Sequence, residues 1–144
     1  MSFVLPPIVK LAERLLVDIE HAVARFGRGF KYGFGAALRE QAMHVALVAH
    51  RAWRDRAHQV EHIADLVRAV DDLKLRLQVG QRIHAFTSFA QFEQLARTAS
   101  ALGKQTGGWH RQQQHPMSQS GHRDAGGQRA PILSSRTTPA GVNP

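Results

Sequence analysis

The residues with the most enzyme-like spacing are His58, Glu61 and His62, which form the pattern H-x-x-E-H. Residues four apart share one face of a helix, so two such histidines can bind zinc while the glutamate acts as a general base. A catalytic zinc needs a third protein ligand, and the next acidic residues, from Asp65 onward, are spaced for ion pairs on the same helix. In a chain with nine histidines the pattern also arises by chance. We therefore interpret it as a solvated first helical turn and predict no metal site.

Other arrangements of catalytic residues are weaker still. Asp71 and Asp72 are adjacent, so on a helix they diverge by about 100° and cannot share a substrate. No serine or threonine has the context of a nucleophile elbow, and the absence of cysteine excludes disulfides, thiolate zinc sites and cysteine nucleophiles. The glycines of GRGFKYGFG match neither of the two common phosphate-binding loop patterns. We expect a protein that has no catalytic activity and no cofactor.

Charge gives a stronger functional signal. The chain of 144 residues has a formal net charge of +8 and a pI near 11.3, which favours a nucleic acid or an acidic protein as partner. The candidate contact residues form two groups at opposite ends of a predicted helical hairpin. The first basic group is Arg51, Arg54 and Arg56, and the second basic group is Lys74, Arg76 and Arg82. Solvated charge is the simpler explanation for any single arginine, whereas the set as a whole favours binding to phosphate backbones or to an acidic protein.

Long helices must position these residues. No proline occurs between Pro7 and Pro116, and the sequence between them is rich in Ala, Leu, Arg and Gln. Apolar spacing predicts four helices: residues 7–26, the stretch from the loop GRGFKYGFG to residue 56, residues 58–84, and a last helix that begins with a Ser88–Gln91 capping box and ends at Gly103. Four amphipathic helices with short connections predict an all-α fold, an antiparallel up-down four-helix bundle.

The second and third helices have two apolar sides, although a helix in a small monomer needs only one. The predicted core line of the second helix is Phe34, Leu38, Val45, Ala49 and Ala52. Two further pairs point away from the core, and we call them the outer apolar pairs: Met43 with Leu47, and Leu75 with Val79. We predict that they form an interface with other copies of the chain.

The loop GRGFKYGFG and the C-terminal segment have separate predictions. Lys31 and Tyr32 could contact a phosphate, but we expect Phe30, Tyr32 and Phe34 to pack across the end of the bundle. Residues 1–103 are predicted to form the bundle, and residues 104–144 a disordered basic tail, because the latter hold four of the six prolines and few aliphatic residues.

The sequence also predicts where the protein is found. No run approaches the roughly 20 apolar residues that cross a bilayer, and the first residues lack the features of a signal peptide. We expect a cytoplasmic protein without a membrane partner.

The sequence resembles the accessory variability determinant proteins of diversity-generating retroelements. This four-helix-bundle family is related to proteins encoded in intervening sequences of large-subunit ribosomal RNA genes. The resemblance runs from about Leu15 to Trp109, and its segments are LLVDIEHAVARF, KYGFGAALREQAM with HRAWRDR, AVDDLKLRLQVGQ, and FTSFAQFEQLARTASALGKQTGGWH. The last segment is the most specific, because Ser-Phe-x-Gln-Phe-Glu and Gly-Gly-Trp meet no general requirement of a helical bundle.

The resemblance implies a basic bundle that assembles as a homo-oligomeric ring, a pentamer. Such a ring would bind the reverse transcriptase of the element, together with RNA or DNA, while a template repeat is copied with mutations into a variable gene. It would have no catalytic activity of its own. A stand-alone bundle associated with RNA or the ribosome is the second interpretation, and a zinc enzyme is the third.

Overall fold

In the computed structural model of the chain, which describes residues 5–114, every regular element is helical and no strand occurs. The helices are α1 (Pro7–Ala24), α2 (Arg28–Lys31), α3 (Phe34–Arg54), α4 (Gln59–Arg82) and α5 (Phe89–Gln114), with a 3₁₀ turn at Arg56–His58. The prediction of an all-α fold is confirmed. None of these helices is both long enough and apolar enough to cross a membrane.

Local sequence explains where two of the helices begin. α1 begins at Pro7. Proline has no backbone N–H, and this costs nothing in the first turn of a helix, where an N–H would have no acceptor within the helix. Before α5, the Gln91 N–H donates to Ser88 Oγ at 3.1 Å, and Gln91 Oε1 accepts from the Thr87 N–H at 3.2 Å. The predicted capping box is therefore present, with its reciprocal bond one residue earlier than usual.

The end of α4 is set by a backbone reversal. His84 has a φ of 61°, in the left-handed region that is uncommon for residues other than glycine. The Ala85 N–H donates to the Gly80 carbonyl at 2.9 Å, and the His84 N–H donates to the Gln81 carbonyl at 3.2 Å. These two bonds form a Schellman motif, so α4 ends at Arg82 and not at the predicted His84.

Helix α3 packs against α1. Two side-chain contacts join these helices: Glu13 Oε2 lies 2.6 Å from His50 Nε2, and Glu20 Oε1 lies 3.0 Å from Arg39 Nε. Residue numbers rise along α1 as they fall along α3, so the two helices run in opposite directions.

Helix α3 also packs against α4, and these two helices likewise run in opposite directions. Gln41 Nε2 donates to the Ala69 carbonyl at 2.9 Å, and Gln59 Nε2 donates to the Ala52 carbonyl at 2.8 Å. The start of α3 therefore lies beside the end of α4. Side chains from all four long helices meet in one hydrophobic core.

The core-facing side of α3 agrees with the predicted one. Leu38, Val45, Ala49 and Ala52 are buried, and Phe34 is half-buried against the core. Helix α5 adds Phe92, Leu95, Ala99 and Leu102 to the same core.

Two further predicted boundaries are wrong. Part of the loop GRGFKYGFG forms the short helix α2, and the last helix does not end at Gly103 but continues to Gln114. Residues 104–114 are thus helical, because Thr106 is buried and Trp109 packs against the core, and these contacts outweigh the low helix propensity of the glycines. The remainder of the predicted tail, residues 115–144, lies outside the described residues.

Candidate nucleic-acid interface

The histidines of the H-x-x-E-H pattern are bound to an aspartate that precedes them. His62 Nε2 lies 2.9 Å and His58 Nδ1 lies 3.1 Å from the same oxygen of Asp55, while Glu61 is exposed. The hydrogen bond from His62, with a smaller contribution from His58, lowers the pKa of Asp55, although partial desolvation acts in the other direction. Within residues 5–114, no group of three or more His, Asp or Glu side chains is arranged to hold a metal ion.

The first basic group lies next to this His–Asp cluster. Arg51 and Arg54 are exposed at the end of α3, and Arg56 is exposed in the 3₁₀ turn. The Arg54 guanidinium lies 5.5 Å from the centre of the Trp53 ring. Asp55 stands between the arginines in sequence, so negative charge interrupts this end of the bundle.

The second basic group divides into two kinds of residue. Lys74 is half-buried, and its amine lies 3.7 Å from Asp71 Oδ1. Arg76 and Arg82 are exposed, and neither has a carboxylate within 4 Å among the described residues. The structure therefore leaves two of these three cations available to a partner.

The fold adds three basic residues to these groups, and of the three only Lys31 was considered a possible phosphate contact from the sequence. Arg25, Arg28 and Lys31 follow α1 and form α2, and they also have no carboxylate partner in the described part of the chain. They lie at the same end of the bundle as Arg82, because the C-terminal end of α1, the N-terminal end of α3 and the C-terminal end of α4 meet there. We call Arg25, Arg28, Lys31, Tyr32, Arg82 and Phe89 the loop-end surface.

Contacts between aromatic rings show that these segments meet. The Phe26 ring centre, at the end of α1, lies 6.3 Å from that of Phe34 and 5.3 Å from that of Phe86. Phe92 lies 5.7 Å from Phe86 and 5.8 Å from Phe89. One aromatic cluster therefore underlies the loop-end surface.

The charge of this end follows from two stretches without acidic residues. Residues 21–39 and 73–92 contain seven Lys and Arg residues and no Asp or Glu. The remainder of residues 5–114 contains nine Lys and Arg residues and ten acidic ones. The basic excess of the described chain is thus concentrated in the segments that form and adjoin the loop-end surface.

Two aromatic side chains project from the same end. Tyr32 is 75% exposed and Phe89 is 60% exposed. The prediction that Tyr32 packs across the end of the bundle is therefore wrong, whereas Phe34 and Phe30 do pack against the core. Tyr32 follows the short helix α2, and most of its side chain is open to solvent.

The outer apolar pairs are accessible, as the sequence predicts. Met43 is 46% and Leu47 is 47% exposed on α3, while Leu75 is 63% and Val79 is 40% exposed on α4. The contacts of Gln41 with Ala69 and of Ala52 with Gln59 give the register between these helices. By that register the two pairs are offset by about eleven residues, roughly 17 Å along the helix axis. Each chain therefore has two separate apolar patches on these helices.

Comparisons with known proteins add no relative. No family model, no curated protein and no solved structure matches the chain.

Proposed function

We propose that the chain is a non-catalytic accessory protein of a diversity-generating retroelement. In this proposal α1, α3, α4 and α5 form an antiparallel up-down four-helix bundle, and copies of the bundle assemble into a basic ring, a pentamer by the resemblance. The ring binds the reverse transcriptase of the element and nucleic acid in the cytoplasm during mutagenic copying. The sequence resemblance supplies the specific role, and the surface of the bundle supplies the physical support.

The observation that carries the proposal is the pair of exposed apolar patches beside unpaired cations. The four side chains of the outer apolar pairs are 40% to 63% exposed on α3 and α4, and Val60 of α4 is 51% exposed as well. Arg51, Arg76 and Arg82 are exposed on the same two helices and have no carboxylate within 4 Å among residues 5–114. Apolar contact between copies would bring these cations into a continuous basic surface.

The two separate pairs provide what a ring needs. In a two-fold dimer, one surface of each copy meets the same surface of the other, and both pairs can lie within that surface. A ring needs two different patches, so that one patch of each copy meets the other patch of the next copy. Met43 with Leu47 and Leu75 with Val79 provide two such patches.

Mixing two variants tests this arrangement. Met43→Asp/Leu47→Asp destroys one patch and Leu75→Asp/Val79→Asp destroys the other, and we expect each variant alone to be monomeric by light scattering. Loss of two half-buried contacts weakens association by about 2 kcal/mol, or roughly 30-fold, before any charge repulsion. In a ring, a mixture of the two variants retains one intact contact and forms a heterodimer.

The control for this experiment is Val17→Asp, which places the same charge at an exposed apolar position of α1 and leaves the oligomer intact. Wild-type protein that stays monomeric at micromolar concentration contradicts the ring. So does a variant with one patch destroyed that still forms a homodimer through the other patch.

The partner is tested by copurification. A reverse transcriptase encoded beside the gene of this chain should copurify with the wild-type protein. Replacing Arg51, Arg54 and Arg56 by Gln, or Arg76 and Arg82 by Gln, should reduce recovery of the enzyme or of RNA. Unchanged recovery of both with either set removes the corresponding basic group from the proposal.

A stand-alone RNA-associated bundle is the second candidate. It is favoured by the observation that a single chain already presents the complete loop-end surface. A monomer that binds RNA and does not bind the reverse transcriptase would support this function over the ring.

A further inference from the structure

We infer that the loop-end surface binds single-stranded nucleic acid, with bases stacked on Tyr32 and Phe89 and phosphates bound by the cations around them. The inference deepens the nucleic-acid part of the proposed function, on which it rests for its biological setting. It assigns the contact to residues outside the two basic groups, apart from Arg82, and it specifies single strands over duplex.

The cations supply the attraction for a phosphate backbone. Arg25, Arg28, Lys31 and Arg82 are exposed or half-buried at one end of the bundle, and none has a carboxylate within 4 Å in the described chain. No acidic residue occurs within residues 21–39 or 73–92, which supply all four. A strand can therefore contact several of them without approaching a carboxylate on the same segments.

The aromatic residues give the preference for single strands. An exposed ring offers a π-face to an unpaired base, and this contact tolerates any base. The bases of a duplex are already stacked on each other and present only their edges in the grooves. Tyr32 is 75% exposed, and Phe89 is 60% exposed although its ring centre lies 5.8 Å from that of Phe92, so much of each side chain is open to solvent.

A groove beside the surface can hold a further base. It lies between α1 and α5, has a volume of about 460 Å³, and is lined by Asp18, His21, Arg25, Gln91 and Gln94 among others. Its side chains offer hydrogen-bond donors and acceptors to the edge of a base, and Arg25 joins it to the phosphate-binding cations. Arg25 therefore belongs both to the groove and to the loop-end surface.

The experiment measures binding of the full chain to fluorescent 12-nucleotide oligo(U) and to a 12-base-pair RNA duplex of mixed sequence. We expect tighter binding of the single strand, with a slope of log affinity against log salt of about −3, the value for four neutralised phosphates on a single strand. Tyr32→Ala and Phe89→Ala should each weaken oligo(U) binding roughly 5- to 100-fold. Tyr32→Trp should restore binding, because it keeps a stacking face.

Charge variants separate the two ends of the bundle. Arg28→Gln/Lys31→Gln should reduce the salt slope by about 1.4, as expected for two lost phosphate contacts. Lys10→Gln/Lys104→Gln is the matched double control, since both lysines are exposed, have no carboxylate within 4 Å among residues 5–114, and belong neither to the loop-end surface nor to the two basic groups; it should leave oligo(U) affinity within about twofold. Circular dichroism checks that each variant keeps its helices.

The outcomes distinguish this inference from the proposed function. If the duplex binds as tightly as oligo(U), or if the two aromatic variants bind oligo(U) like wild type, the inference is overturned. The proposal that the chain forms a ring and binds a reverse transcriptase is unaffected by that result. If the aromatic variants dissociate the oligomer without weakening oligo(U) binding per chain, Tyr32 and Phe89 are interface residues and the inference is also overturned. If they lose oligo(U) binding in a protein that is monomeric and ignores the reverse transcriptase, the inference holds and the proposed function fails.

Discussion

Replacing Gly80 and Gly103 by alanine should change stability in opposite directions, although both glycines lie inside long helices. Each replacement removes a glycine from a helix interior, which by propensity alone stabilises the protein by about 1 kcal/mol. The difference between the two sites comes from what the new methyl group meets. This pair of substitutions therefore tests tertiary packing against helix propensity.

At Gly80 the methyl group has no room. A Cβ there would lie 2.8 Å from Phe86 Cε2 and 2.9 Å from Phe34 Cε2, well inside the contact distance of about 3.5 Å. Phe86 cannot withdraw freely, because its ring packs against Phe26 at 5.3 Å and Phe92 at 5.7 Å between ring centres. Overpacking of this kind costs about 1–3 kcal/mol, so we expect Gly80→Ala to destabilise the protein by about 1 kcal/mol net.

At Gly103 the neighbours can move. The nearest atom is the amine of Lys74 at 3.2 Å, and the next is a Val70 methyl at an ordinary 3.7 Å. Lys74 can swing its amine away and lose only a 3.7 Å surface ion pair with Asp71, worth less than about 0.5 kcal/mol. We expect Gly103→Ala to stabilise the protein by about 0.5 kcal/mol or more.

Urea unfolding measures both effects. The variants should differ by about 1.5–2 kcal/mol, which separates their midpoints by roughly 1 M for a protein of this size. Phe34→Leu should recover part of the stability lost in the Gly80→Ala background, because it replaces one of the two rings that the methyl group meets by a smaller side chain. The reasoning is refuted if Gly80→Ala is as stable as Gly103→Ala, or if Phe34→Leu shows no coupling to it.

Three further predictions concern single sites. The histidine partners of Asp55 lower its pKa, so this carboxylate stabilises the fold at neutral pH and loses that effect as the pH falls through the lowered pKa. The NMR chemical shift of its carboxyl carbon should therefore titrate below the usual pH range of an aspartate. Asp55→Asn should make the free energy of unfolding less dependent on pH on the acid side. Ser88→Ala should destabilise the protein by about 1 kcal/mol in urea unfolding through loss of the α5 cap, whereas Ser100→Ala, exposed within the same helix, should stay within about 0.5 kcal/mol. His84→Gly should raise the free energy of unfolding by about 1 kcal/mol, because glycine adopts the left-handed conformation without strain; an unchanged value would show that His84 makes a compensating contact.

Periodicity predicted the features that depend on one helix at a time. The spacing of Leu38, Val45 and Ala49 is a property of α3 alone, so it identified the buried side, and it identified Met43 and Leu47 as exposed for the same reason. Ser88 could be recognised as a cap because its partner Gln91 is three residues away. Each of these features is local in sequence.

Features that depend on contacts between helices were predicted less well. Gly103 resembles a helix end, but α5 continues because Thr106 is buried and Trp109 packs against the core. Tyr32 was expected to pack, but it is 75% exposed, whereas Phe30 and Phe34 pack against the core. Propensity contains no information about either contact.

The loop-end surface shows the same limit for function. Arg28 and Arg82 are more than 50 residues apart, and the sequence alone groups each with its neighbours. They share one end only because α1 and α4 both run opposite to α3. The absence of acidic residues around both was visible in the sequence, and combining that signal with helix direction would have found the surface.

The position of this surface has a consequence for the proposed assembly. In any cyclic ring, a rotation relates the copies, so every loop-end surface lies on the same rim. A single strand long enough to reach two copies would then bind both at once, and its second contact would form at a high effective concentration. Affinity should therefore rise far more steeply with strand length in the ring than in the monomeric Met43→Asp/Leu47→Asp variant. Equal length dependence in the two proteins would show that the loop-end surfaces act independently.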